Sequence, residues 1–301
     1  MHQNSPLLER LSKKSHSTEK LTSKELDVLA AHFRLQMFDV LHQRGTGHWG
    51  GSSSAAELIT ALYFSRMHID TDNPTWPDRD RFVLSKGHAS MNYYTILAHR
   101  GYFSTEDLVG FRTLGSHLQG HPSMKKTPGV DMSTGALGHG LSVGLGMALA
   151  AQLSGKSYWT YVLSGEGCLN EGQTWEAVMM AAKYRPKRLV YLIDYNKVQL
   201  DGATDDIMPL DPLKEKFAAF GWHVAPRIYD GHDSGDILDS FTWMDEDDQW
   251  PKAVVYRTVK GRGVDFMEHR HTWHGAPIDL ESYEKGRPQL VADFEQKEKR
   301  I

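Results

Sequence analysis

Apolar positions along this chain change period repeatedly, from the spacing of helices to that of strands and back. The first strong signal is "TSKELDVLAAHFRLQMFDVLHQR". There Leu26, Leu29, Ala30, Phe33, Met37 and Leu41 recur at helical intervals behind a Thr/Ser start, which predicts one long helix. A loop, "GTGHWGGSSS", follows, and Ser53 or Ser54 is placed to cap the next helix, "AAELITALYF". "RFVLS" reads as a short strand, "KGHAS" as its turn, and "MNYYTILAHRG" as a helix closed by Gly101. A loop-rich stretch then leads to the small-residue helix "LSVGLGMALAAQL", the strand "YWTYVLS", the loop "GEGCLNEG" and the helix "QTWEAVMMAAKYR". In that last helix Trp175, Val178, Met179 and Ala182 fall at i, i+3, i+4 and i+7, one apolar face. The strand "RLVYLID", a helix near "DPLKEKFAAFG", a strand candidate in "HVAPRIYD" and the strand "AVVYRTV" complete the pattern.

Strands alternating with helices at this spacing predict an α/β fold with a parallel sheet flanked by helices. Repeats, low-complexity tracts and linkers are absent, so residues 23–301 read as one domain behind a polar, mobile arm at 1–22. A hydrophobic content of 40%, a charged content of 24% and a net charge of −4 are ordinary for a globular protein. Lys and Arg are not clustered, which argues against nucleic acid and membrane surfaces as partners. The N-terminus has no apolar signal core, no stretch reaches membrane-span length, and the single cysteine, Cys168, allows no internal disulfide. A cytoplasmic protein is expected. Cys168 beside Gly167 reads as small packing, since nothing nearby marks it as activated.

The chemistry-bearing residues gather in loops. Seven of the sixteen histidines, His48, His88, His121, His139, His232, His271 and His274, sit in or beside glycine-containing stretches, where binding groups concentrate. Glu166 lies just past one predicted strand and Asn196 just past the next. A right-handed crossover brings both strand ends to the same sheet edge, where open α/β sheets bind ligands. Their side-chain oxygens, joined by the Val198 carbonyl, suit Mg2+, with Ca2+ or Mn2+ as substitutes. Gly165 and Gly167 leave room for a diphosphate to approach the backbone. Read alone, "GEG" is an ordinary strand-to-helix turn, and the paired "YN" after the next strand is what changes that reading.

"GEGCLNEG…LVYLIDYNKVQLDG" is similar to the thiamine-diphosphate motif, G-D-G followed by a distant N, in the form found in the transketolase family. "GTGHWGG", "RDRFVLSKGHAS", "FRTLGSHLQGHP", "STGALGHGLSVGLGMA" and "HGAPI" resemble that family in the same order, across residues 25–277. The resemblance implies the family's thiamine-diphosphate-binding (diphosphate domain) fold. Glu166 takes the place of an aspartate ligand of the Mg2+ that anchors the cofactor, with Asn196 and the Val198 carbonyl beside it. Gly135, Leu137 and Gly138 match backbone near the pyrimidine and diphosphate, and His139 stands where many relatives carry Gln. His48, His88 and His121 match histidines lining the substrate channel. His271, by spacing, and His274, by motif, compete for a late active-site histidine. Glu171 matches a glutamate near the subunit interface that links paired active sites. Trp49 replaces a usual proline, and its ring either reshapes the acceptor side or packs against a neighbouring subunit.

Only the first of the family's three regions is matched. The pyrimidine-binding region, with a glutamate for the aminopyrimidine and arginines for the sugar phosphate, and the C-terminal region are expected on a separate subunit. The resemblance therefore implies one subunit of a split transketolase, assembled as α2β2. It would move a two-carbon ketol unit from a ketose, phosphorylated or otherwise anionic, to an aldose. The competing expectations are a 1-deoxyxylulose-phosphate-synthase-like or keto-acid-decarboxylating subunit, and a non-catalytic scaffold suggested by Glu166. "GAPI" and the "SKGHAS" histidine favour transketolase. A zinc hydrolase lacks any H-E-x-x-H pattern.

Overall fold

The computed structural model describes residues 7–8, 10–11, 20–247 and 249–301. The helix Ser23–Arg44 opens on a capping box: Thr22 Oγ1 accepts from the Glu25 amide at 3.3 Å, and the Glu25 carboxylate accepts from the Thr22 amide at 2.8 Å. Gly45, in the left-handed conformation (φ 60°), ends it. The six strands among the described residues are β1 (Arg81–Leu84), β2 (Thr160–Gly165), β3 (Leu189–Tyr195), β4 (His223–Val224), β5 (Tyr229–Asp230) and β6 (Lys252–Arg257). They run in the order β1-β2-β3-β6-β4, with β5 also on β6, and every pairing is parallel.

Alternate side chains of the central strands enter two cores. Phe82, Leu84, Tyr161, Leu163, Val190, Leu192, Val254 and Tyr256 face a cluster that includes Leu26, Phe33, Ile59, Ile96 and Phe241. Val83, Val162, Tyr191, Ile193 and Val255 face Leu141, Leu145, Ala177, Val178 and Phe217. A strand buried on both faces has no polar side to show, which is why β2, β3 and β6 read as continuous apolar runs.

The structure departs from the sequence reading at several points. "GTGHWGGSSS" is not all loop, because Trp49–Ser53 forms a helical turn. The Trp49 ring is fully buried, 4.9 Å from Phe38 at 70°, so it neither reshapes the channel nor meets a neighbour; it fills the chain's own core. Ser53 ends that run and Ser54 is its C-cap, so neither caps a helix start: Ser53 donates to the Gly50 carbonyl, and Ser54 donates to Asp194 at 2.7 Å. Glu166–Leu169 is likewise a helical turn rather than loop. The buried face of Gly172–Tyr184 is Thr174, Ala177, Val178 and Ala181, while Met179 points outward. Small residues take that face because it packs against the helix His139–Leu153. Leu8 and Leu11, within the expected arm, are buried in the first core; most of residues 1–19 lie outside the described residues. Two further helices, Ser234–Glu246 and Leu280–Glu298, have no counterpart in the sequence reading. Among the described residues no helix is long and apolar enough to cross a membrane.

Candidate active site

Four parallel strands deliver their C-terminal ends to one edge. β1 leads into Lys86 and His88, β2 into Glu166, β3 into Asn196 and Val198, and β6 into Lys260. Sequential neighbours in the sheet thus place a carboxylate, an amide, two ammonium groups and an imidazole beside one crevice.

Glu166 is 3% exposed. Its Oε2 accepts from the Lys197 amide, while the buried Oε1 has no hydrogen-bond partner among the described residues. Burial pushes its carboxyl up to about 7; the Lys197 amide opposes that rise, and the neighbouring Asp194 charge adds to it. Asn196 Oδ1 accepts from the Val198 amide at 3.1 Å. A buried carboxylate oxygen without a partner, next to an amide oxygen and a backbone carbonyl, fits a hard divalent cation. Among the described residues no cluster of three or more His, Cys, Asp or Glu is placed to hold a metal, so such a cation would need ligand oxygens from phosphate or water.

Beneath this pair, Lys86 and Asp194 form a fully buried ion pair. Lys86 also donates to the Gly51 carbonyl at 2.6 Å, and Asp194 accepts from Ser54 and Thr258. Burial alone would raise the Asp194 carboxyl, but Lys86 and these donors hold it below its usual range. Lys260 is different. Its Nζ donates to the Val198 carbonyl at 3.1 Å, to the Gln199 carbonyl at 3.3 Å and to His274 Nδ1 at 2.8 Å. No carboxylate pairs with it among the described residues. Burial and the Lys86 charge lower its ammonium to about 8, against the pull of Asp194 and Glu166. The sequence reading misses Lys260, although its position right after a predicted apolar strand is the signal that finds Glu166 and Asn196.

Four histidines line the crevice. Ring centroids are 4.8 Å apart for His88–His274, 5.4 Å for His48–His88, 5.4 Å for His48–His274 and 6.5 Å for His48–His121. Geometry therefore chooses His274 over His271, which is exposed on the turn His271–Trp273. Burial lowers all four imidazoles, His48 to about 4 and His274 to about 3, and nearby cations deepen the shifts. At neutral pH all four are uncharged, each with one donor and one acceptor nitrogen.

Gly135 lies against the His121 ring, and Leu137 against Gly167. The segment between them thus bridges the histidines and the Gly165–Glu166–Gly167 turn. Gly138 is left-handed (φ 81°), and a Cβ there would stand 2.5 Å from Glu171 Cβ, so both conformation and space require glycine. Glu171 itself is exposed at the start of the helix Gly172–Tyr184 and takes no part in the histidine cluster. His139 is exposed as well. His232 serves from behind: it meets Glu57 at 3.0 Å and accepts from the Val259 amide at 2.8 Å, next to Lys260.

The lowered imidazoles set a pH dependence of stability. The unfolded chain protonates a histidine near pH 6.5. The folded chain holds His48 neutral down to about 4, and His274 and His99 down to about 3. Between these limits the unfolded state binds more protons, so stability falls as pH falls. Urea unfolding from pH 7 to 4 should show this loss, and His274→Gln should reduce its slope by about one proton. An unchanged slope would place the His274 ring in water.

Residues 26–298 match the family described as "Transketolase, thiamine diphosphate binding domain". The chain is 42% identical over 246 residues to a 6-deoxy-6-sulfo-D-fructose transketolase subunit of Clostridium sp. (strain MSTE9), covering 82% of this chain and 89% of that one. It is 37% identical over 274 residues to an apulose-4-phosphate transketolase subunit of Phocaeicola vulgatus, covering 91% and 96%. The transketolase structure from Campylobacter jejuni superposes with a TM-score of 0.83 at 28% identity, covering 91% of this chain and 45% of that one. The chain thus spans nearly all of two known subunits and under half of a solved transketolase chain.

Proposed function

Because the chain belongs to the transketolase family, through its thiamine-diphosphate-binding domain, we propose that it is the diphosphate-binding subunit of a two-subunit transketolase. In this role it transfers a two-carbon ketol unit from a ketose to an aldose in the cytoplasm. One observation carries the reading: a buried carboxylate, Glu166, and a buried ammonium, Lys260, lie near each other without pairing. Uncompensated buried charges are costly unless a ligand completes them. A diphosphate with a divalent cation supplies both missing partners, and this favours an active subunit over a scaffold.

Glu166, Asn196 and the Val198 carbonyl would hold Mg2+, and Lys260 would neutralise diphosphate charge. Bound thiamine diphosphate supplies the carbon chemistry of ketol transfer. The histidines supply hydrogen bonds and protons to sugar oxygens. A charged Lys260 can only donate, so His274 Nδ1 must accept, and the proton of that ring sits on Nε2. His274 is thereby fixed as a donor. His48, His88 and His121, also neutral, can give a proton to a developing alkoxide and take it back. Both relatives named above act on sugars with an anionic tail, which suggests an anionic ketose donor here.

The test is the chain combined with a subunit carrying the pyrimidine-binding domain, thiamine diphosphate and Mg2+. Ketol transfer between a ketose and an aldose is the expected result, with no carbon dioxide released from labelled pyruvate. Pyruvate decarboxylation without ketol transfer would overturn this reading in favour of a keto-acid enzyme.

A further inference from the structure

We propose that Arg112 reads the substrate by binding an anionic group on the sugar, at the end of the histidine crevice remote from the cofactor. The proposal rests on the ketol-transfer reading and gives this subunit its own share of tail recognition. Arg112 ties together the two loops that bear His48 and His121. Its Nη1 donates to Thr46 Oγ1 at 2.6 Å, and its amide donates to the Leu118 carbonyl at 2.8 Å. Its backbone is left-handed (φ 59°), a conformation that costs a side-chain-bearing residue energy and persists only where the surroundings impose it.

The guanidinium packs into the space left by Gly120. A Cβ on Gly120 would stand 2.6 Å from Nε and 2.8 Å from Nη2. Those two nitrogens have no protein partner, and no carboxylate pairs with Arg112, among the described residues. A half-buried, positioned guanidinium with part of its fork free is suited to a bidentate oxyanion such as phosphate or sulfonate.

The neighbours give the direction. The Arg112 charge acts on His48 and His121, whereas the Lys260 charge acts on His48, His88 and His274. The imidazoles therefore form a row between two cations. Lys260 stands at the Glu166 end, where the diphosphate belongs, and Arg112 stands at the other. A sugar whose reacting carbons lie among the imidazoles would carry its tail toward Arg112.

The experiment compares Arg112→Gln with the wild type in the reconstituted enzyme. The donors are a ketose phosphate, a ketose sulfonate and the neutral ketose of the same skeleton. Loss of a charge-assisted pair predicts a kcat/KM about tenfold to a hundredfold lower for the anionic donors, carried mainly by KM. The neutral donor should lose much less, only what the lost Thr46 contact costs the two loops, and Arg112→Lys should fall between. A loss confined to one anionic donor would identify the tail that is read. Equal losses on all three donors would make Arg112 a strut between loops and overturn the proposal, as would no loss at all. Should Arg112→Gln fail to fold, Arg112→Lys decides by the same ratio. A wild-type enzyme that transfers no ketol unit from any donor would instead sink the functional reading.

Discussion

Glu166→Ala should abolish retention of thiamine diphosphate while leaving the chain folded. In the metal-free chain the Glu166 carboxyl does little for stability: Oε1 has no partner, and burial raises the group to about 7. Alanine removes this poorly solvated group and gives up the bond from the Lys197 amide, along with weaker help from Thr204 and the Asn196 backbone. The melting temperature should therefore stay close to that of the wild type. With cofactor the balance reverses. Among the described residues the carboxylate would be the only negatively charged ligand at the proposed cation site, and without it the cation would be held by Asn196, a carbonyl and water. Losing a charged ligand in a buried site is expected to weaken binding at least about a hundredfold. Calorimetric titration with thiamine diphosphate at fixed Mg2+, partner present, measures this, and a thermal melt runs beside it. Asn196→Ala should follow the same pattern, and Glu166→Asp should be mild, since the charge and both oxygens remain. Unchanged affinity in Glu166→Ala would remove this residue from the cation site.

The sheet and the Glu166–Asn196 pair were legible because one physical rule covers both. Strands buried on two faces are long apolar runs, and in a parallel sheet the residues just beyond those runs share an edge. Lys260 obeys the same rule after β6. It stands in "VKGRG", however, where no motif draws attention to it, and only the packed structure reveals an ammonium without a carboxylate. The choice of His274 over His271 was equally closed to the sequence, since both lie in "HTWHGAP" and only the turn geometry aims one ring inward. The helix Leu280–Glu298 was hidden by its own breakers. Pro288 lies inside it, and Gly286 is there because a Cβ would come within 2.8 Å of Phe38. Tertiary packing against the helix Ser23–Arg44 overrides that local signal. The helix Ser234–Glu246 did carry a readable start, Asp233, whose side chain accepts from the amides of Gly235 and Asp236.

The chain by itself is expected to transfer no ketol unit between any pair of sugars. Its described residues supply a candidate cation site, an ammonium without a carboxylate partner and a row of neutral imidazoles. Among the described residues Glu166 and the Lys86-paired Asp194 are the carboxylates at this crevice, and on the proposed reading the acid–base group for the cofactor's own ring is expected from the partner subunit. The surface agrees with a second subunit. Val109, Leu114 and Met124 are exposed in the segment that carries His121, and Leu200, Ile207 and Met208 in the segment that follows Asn196. These exposed apolar side chains flank the crevice, and the proposed partner subunit would cover them. Relatives named as transketolase subunits, of nearly the same length, point the same way. An interface that encloses a cofactor is expected to be large and partly apolar, as obligate interfaces are. Two copies of this chain with two of the pyrimidine-binding partner satisfy these demands, and mass measured in solution should report that α2β2 assembly. Turnover should appear only on mixing, and the bound cofactor should then resist dilution. Substantial turnover by the purified chain without partner would sink the split-site idea, whatever its mass.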